Sequence, residues 1–101
     1  MQTTMQHHHV TLSPKGDKVE TTRELLVQCA AKVAERKAEN GPTSWCTSFD
    51  EEKGVFYVEA LFAGEEAVKF HQQNIQAIMK AFGPCMAAPP ATIIRMVFAH
   101  A

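Results

Sequence analysis

Four side chains suited to anion binding and proton transfer lie on predicted strands: His9, Tyr57, Glu59 and Arg95. Arg95 can hold a carboxylate by a two-pronged hydrogen bond. Tyr57 or His9 can orient the bound molecule or move a proton. If the first strand lies between the strands that carry Glu59 and Arg95, all four groups converge in one apolar cavity. A Glu59–Arg95 ion pair at a dimer interface fits the same positions equally well, because an unpaired buried charge is costly.

A second candidate site is the apolar stripe of a predicted helix, where His71 lies between Ala67 and Ile75. A histidine there faces the sheet or a cavity rim and can act as a general base, since its ordinary pKa is near neutral. The alternative, a buried structural histidine bonded to a backbone carbonyl, is the favoured interpretation. If the site is functional, His71 and His9 are the candidate catalytic residues.

Two further groups of residues each have both a functional and a structural interpretation. His7 and His9 share a strand face and could bind a metal with Glu59 as third ligand. Nothing else has metal-site spacing, so a solvated strand start is favoured and no metal is predicted. Trp45, with Phe49, is favoured as core packing, and the wall of a ligand pocket is the alternative. The candidate ligand-binding residues are Tyr57, Glu59, Arg95 and Trp45.

The elements that position these residues follow from periodicity and from turn residues. Alternating or β-branched stretches predict strands at 7–12, 43–49, 55–62 and 92–98. A helix begins at an Asp17 N-cap, with Glu20 as its capping-box partner, and stops at residues 40–42. A second helix follows Gly64 and breaks near Asn74, which is expected to cap a new turn.

The order β-α-β-β-α-β predicts a ferredoxin-like α+β fold, in which both helices cover one face of an antiparallel sheet. Right-handed crossovers place the first strand beside the third and fourth. Alternation divides the strands into two faces. Toward the helices lie Val10, Leu12, Phe56, Val58, Ala60, Phe62, Ile94, Met96 and Phe98. The open face carries His7, His9, Thr11, Val55, Tyr57, Glu59, Leu61, Ile93, Arg95 and Val97. This mixed face suits a homodimer whose two sheets enclose a cavity.

Composition limits the function classes. The chain of 101 residues predicts a single domain spanning 1–101, with its core at about 7–99. A net charge of −1 without a basic stripe argues against nucleic acid and anionic membranes as partners. Three widely spaced cysteines indicate a reducing compartment rather than a disulfide framework. With no apolar signal segment, we predict a cytoplasmic protein.

The segment Phe62-Ala63-Gly64-Glu65-Glu66-Ala67-Val68-Lys69-Phe70-His71, the Asn40-Gly41 turn and the element order resemble the antibiotic biosynthesis monooxygenase-like family of dimeric α/β barrels. Members commonly have an aromatic strand end, then acidic residues, an alanine and a histidine four residues later. The chain departs from the family in having Phe62 where tryptophan is common and Ala60 where a glutamate is common. The pocket set of the haem-degrading branch has no counterpart that can be placed here.

The resemblance implies a fold and suggests an activity, since the family includes cofactor-free oxygenases of aromatic or quinol-like substrates. The leading hypothesis is therefore a homodimer that takes a small apolar or aromatic ligand and oxygenates it without a cofactor, His71 or His9 removing a proton. The alternatives are a non-catalytic binding protein for an apolar carboxylate such as a fatty acid, and a purely structural dimer.

Overall fold

Seven regular elements make up the chain in a computed structural model that describes residues 4–101. The strands are β1 (Gln6–Leu12), β2 (Ser44–Asp50), β3 (Val55–Phe62) and β4 (Ala91–Met96). The helices are α1 (Val19–Glu35), α2 (Glu65–Asn74) and α3 (Gln76–Phe82). Short 3-10 turns occupy Gly16–Lys18 and Gly83–Cys85. The predicted β-α-β-β-α-β order is confirmed, with the second helix divided into α2 and α3.

The sheet is antiparallel in the order β2-β3-β1-β4, so the prediction that β1 lies between β3 and β4 is confirmed. His9 is opposite Glu59 on one side and Ile93 on the other. Gly54, with a φ of 68°, closes the predicted β2–β3 hairpin by donating its N–H to the Asp50 carbonyl at 2.8 Å. The register confirms the predicted division of the sheet into two faces.

The predicted helix caps are wrong. Asp17 lies within the 3-10 turn, and α1 starts one residue after Lys18, without a side-chain cap. The hydroxyl of Thr22 instead donates to the Lys18 carbonyl at 2.7 Å. Asn74 does not cap α3, because its amide donates to the Lys32 carbonyl at 3.1 Å and so joins α2 to α1.

The first helix also ends earlier than predicted, at Glu35 rather than near residue 40. Residues 36–40 offer only Ala38 as an apolar side chain, so the core gains little from prolonging the helix. There Arg36 pairs with Glu39 at 2.7 Å on the surface.

Two hydrophobic clusters join the helices to the sheet. The larger consists of Leu12, Leu26, Cys29, Phe56, Ile75 and Phe82, and the smaller of Ala60, Phe62, Ala67 and Val68. Burial raises the pKa of the Cys29 thiol to about 11, which keeps it protonated and unreactive. Within residues 4–101, no helix has the length and apolar character needed to cross a bilayer.

The helices leave β4 uncovered. Ile94 and Met96 lie on the helix side of the sheet as predicted, but they are 55% and 57% exposed. Phe98 lies beyond the end of β4 and is 97% exposed. The expectation that these residues join the core is wrong for this chain alone, because the helices pack over β1, β2 and β3 and do not reach the edge strand.

Candidate functional site

A cleft of about 1000 Å³ separates the helices from the sheet. Its floor is the helix-facing side of the strands, including Val10, Val58 and Ala60. Its remaining walls come from α1, α2, α3, the loop that follows α3 and Thr92 of β4. The walls are mainly apolar, with His8, His71 and three glutamines among the polar groups. This volume matches a small-molecule pocket.

The cleft lies on the opposite side of the sheet from the predicted cavity. Alternation assigned the side chains to faces correctly, but it gave no measure of how closely the helices approach the sheet. Trp45 fits both of its sequence-based interpretations, because it lines the cleft and packs against the two hydrophobic clusters.

His71 lines the cleft from α2, and its ring centroid is 5.3 Å from that of Phe62. Its Nδ1 atom is buried and has no hydrogen-bond partner among the described residues, so the predicted backbone-carbonyl bond is absent there. Burial, with a smaller effect of a positive charge on His8, lowers the pKa of His71 from 6.5 to about 4. The ring is therefore neutral at pH 7.

This lowered pKa predicts that acid destabilises the fold. The unfolded chain binds a proton at His71 near pH 6.5 whereas the folded chain does so only near pH 4, so stability is retained above pH 6.5 and lost as the pH falls toward 4. A shift of this size corresponds to about 3 kcal/mol. Solvent screening at the partly exposed ring reduces the expected loss to about 2 kcal/mol.

Urea unfolding of the parent and of His71→Gln between pH 7 and pH 4 measures this loss. The substituted chain is expected to lose less stability over that range than the parent. Equal losses in both would show that His71 does not carry the effect.

His8 is the residue that sequence reasoning missed. It lies on β1 with its ring 4.7 Å from that of Phe62, and it lines the same cleft as His71. Its Nε2 is 2.8 Å from the Oε1 atom of Gln6. Its pKa is lowered mainly by burial, while Glu65 opposes that shift. Its place beside Val10 and Leu12 in the alternation was the signal available from the sequence.

The other predicted site residues lie on the open face. The His9 ring centroid is 5.4 Å from that of Tyr57, and the Tyr57 hydroxyl is bonded to Asp50 at 3.3 Å. None of His9, Tyr57, Glu59 and Arg95 lines the cleft. The structure therefore brings His9, Tyr57 and Glu59 together, but on the sheet face away from His71.

Glu59 pairs with histidines and not with Arg95. One oxygen of its carboxylate is 3.3 Å from His7 Nε2 and 3.3 Å from His9 Nδ1. Arg95 is exposed on β4 and has no ion-pair partner in residues 4–101, because β1 lies between the two strands. In the part of the chain that the structure describes, no group of three or more His, Cys, Asp or Glu residues is arranged to hold a metal ion.

Sequence and structure comparisons differ in what they detect. No protein-family model and no curated protein matches this sequence. A candidate antibiotic biosynthesis monooxygenase from Caulobacter crescentus has a similar structure, with a TM-score of 0.83 and 27% identity over 97% of this chain and 92% of its own. Rv0793 from Mycobacterium tuberculosis is similar with a TM-score of 0.81 and 16% identity, over 96% of this chain and 98% of its own. A second candidate antibiotic biosynthesis monooxygenase, from Nitrosomonas europaea, has a TM-score of 0.81 and 17% identity, over 97% of this chain and 94% of its own.

These similarities identify the fold class of the chain. The chain is a ferredoxin-like α+β protein, with an antiparallel sheet covered by helices on one face. Within that class it has the antibiotic biosynthesis monooxygenase-like fold, which confirms the resemblance carried by residues 62–71.

Proposed function

We propose that the cleft binds a small aromatic, quinol-like molecule and that the protein oxygenates it without a cofactor. The observation that carries this proposal is the cleft of about 1000 Å³, whose apolar walls hold two imidazoles beside one aromatic ring. The similarity to the candidate monooxygenase from Caulobacter crescentus supports the same class of reaction. His71 is a neutral contact for the ligand, since its buried Nδ1 has no partner among the described residues.

The proposed chemistry needs only the substrate, molecular oxygen and a base. An imidazole in the cleft accepts the hydroxyl proton and leaves an electron-rich phenolate. The phenolate reduces oxygen, one oxygen atom replaces a ring C–H as a carbonyl, and the second leaves as water. The substrate thus loses four electrons to one O₂ and becomes a quinone. Apolar walls favour this course because they exclude bulk water from the reacting atoms.

We further propose that the protein is a homodimer that packs through β4 and the open sheet face. Ile93, Ile94 and Met96 are all about half exposed on one short strand. Several large apolar side chains exposed side by side mark an association surface, whereas single exposed apolar residues are common on any protein. A second copy is the occupant that we propose, because an edge strand and a mixed sheet face offer a self-complementary patch.

The test measures oxygen uptake and ligand binding together. The parent is expected to consume oxygen with 1-naphthol and to yield the naphthoquinone, which mass spectrometry with labelled O₂ shows to carry one new oxygen atom. Thr92→Trp places an indole at the cleft wall on exposed β4 and is expected to weaken binding at least tenfold by blocking the cleft.

Thr92→Val is the matched control and is expected to bind like the parent, since it removes the hydroxyl without adding bulk. Binding without oxygen uptake or quinone would replace the oxygenase by a binding protein. Equal binding by Thr92→Trp and the parent would reject the cleft as the site.

A further inference from the structure

We infer that His8 is the proton acceptor of the cleft and that Gln6 and Glu65 hold its imidazole in the reactive tautomer. This inference deepens the proposed function and rests on it. In the proposed step His8 contacts the substrate and is a catalytic residue. Gln6 and Glu65 act through His8 and are positioning residues.

The first observation is a hydrogen-bond chain that runs from the cleft to the start of α2. The Gln6 amide donates to Glu65 Oε1 at 2.6 Å, and Gln6 Oε1 is 2.8 Å from His8 Nε2. Gln6 and Glu65 also line a smaller groove at the surface, so the chain links the cleft to the exterior. An amide does not pass protons readily, so the chain orients the imidazole rather than conducting protons.

The direction of these hydrogen bonds determines the tautomer of His8. The Glu65 carboxylate only accepts, so it takes the NH₂ of Gln6 and the Gln6 oxygen must face His8. That oxygen also only accepts, which requires His8 Nε2 to carry the hydrogen. In the neutral ring, Nδ1 is then the unprotonated nitrogen. No described residue bonds His8 Nδ1, so it is available to a molecule in the cleft.

His8 is better suited than His71 to accept the proton. Burial lowers the pKa of His71 to about 4, so its ring is a weak base, and no carboxylate supports its positive form. The pKa of His8 is also lowered by burial and by His7, but Glu65 favours the protonated ring. The same chain that selects the tautomer therefore stabilises the imidazolium that forms when Nδ1 takes a proton.

In the proposed step the substrate O–H bond breaks and a new N–H bond forms at His8 Nδ1. The products are a phenolate and an imidazolium that still donates its Nε2–H to Gln6. No electron moves in this step, because oxygen is reduced only afterwards by the phenolate. His71, whose ring also contacts that of Phe62, remains neutral.

Nitrogen-15 spectra of histidine-labelled protein test the tautomer without any activity. The parent is expected to have His8 as the Nε2–H form at pH 8. Gln6→Met removes the acceptor and is expected to lose that preference. Gln6→Glu restores an acceptor and is expected to recover it, with a raised pKa. Glu66→Gln, which removes a neighbouring exposed carboxylate outside the chain of hydrogen bonds, is the control and should leave the spectrum unchanged. An Nδ1–H form in the parent would overturn the inference.

Ligand and turnover measurements then separate this inference from the proposed function. With 1-naphthol added to the parent, the His8 Nδ1 resonance is expected to move, and His8→Gln is expected to lower kcat about 100-fold with little change in KM. Gln6→Met is expected to lower kcat about tenfold, and Gln6→Glu is expected to move the acid limb of the pH profile to higher pH.

If naphthol moves the Trp45 indole signal but not His8 Nδ1, or if His8→Gln turns over normally, the inference fails while the cleft remains the binding site. If naphthol moves no cleft signal and no oxygen is consumed, the proposed function and the base role both fail.

Discussion

The Ile93→Asp variant is expected to be monomeric at concentrations where the parent chain is a dimer. Ile93 is 48% exposed on β4, opposite His9 on the open face. In the proposed dimer, the aspartate would bring an unpaired carboxylate into an apolar contact, and such a charge is strongly unfavourable when desolvated. Loss of a central apolar contact adds to this cost, so the dimer dissociation constant is expected to rise by at least about 100-fold.

Native mass spectrometry and light scattering over a dilution series measure the change. Val27→Asp is the matched control: Val27 is 63% exposed on α1, away from β4, so the same substitution there should leave association unaltered. A parent chain that is monomeric at all concentrations would contradict the proposed interface. Equal weakening by both substitutions would show that β4 is not its centre.

The strand layout of this protein can be read from its sequence because a pleated strand exposes alternate residues to opposite faces. In β3 the alternation of Phe56, Val58, Ala60 and Phe62 with Tyr57 and Glu59 defines both faces, and the structure has that assignment. The break between α2 and α3 also lies where Asn74 predicts it. These features depend on neighbours in the chain, which the sequence displays directly.

The position of the cleft depends on distances between elements, and alternation carries no information about these. Val10, Val58 and Ala60 read as core positions from their face and do pack in or against the hydrophobic clusters, but they also border the cleft. His8 lies on that same face, and alternation does not show that a cleft opens there. Its partners Gln6 and Glu65 are 59 residues apart, so their contact could not be predicted from spacing.

The burial of β4 also could not be predicted from its own pattern. Ile94 and Met96 are apolar on the helix face, but whether a helix covers them depends on the lateral reach of α2 and α3. Only the fold reveals that these side chains are exposed in the isolated chain. The same apolar pattern that suggested core packing instead supports the proposed contact with a second copy.

The largest loss of stability is expected from Phe62→Ala. Phe62 is 2% exposed, it belongs to the smaller hydrophobic cluster, and its ring contacts the rings of both His8 and His71. Truncation removes a buried aromatic ring and leaves a cavity that the sheet cannot close, which costs about 3–5 kcal/mol. Phe62→Leu retains most of the apolar volume and is the matched variant, with an expected loss of about 1–2 kcal/mol.

Urea unfolding at pH 8 measures these losses without a contribution from histidine protonation. If Phe62 is what keeps both imidazoles dry, its removal admits water between them, and the pKa of His71 is expected to rise from about 4 toward its ordinary value. A titration of the histidine resonances in Phe62→Leu and Phe62→Ala follows this rise. An unchanged His71 pKa in a folded Phe62→Ala protein would show that α2, rather than the Phe62 ring, excludes water from this part of the cleft.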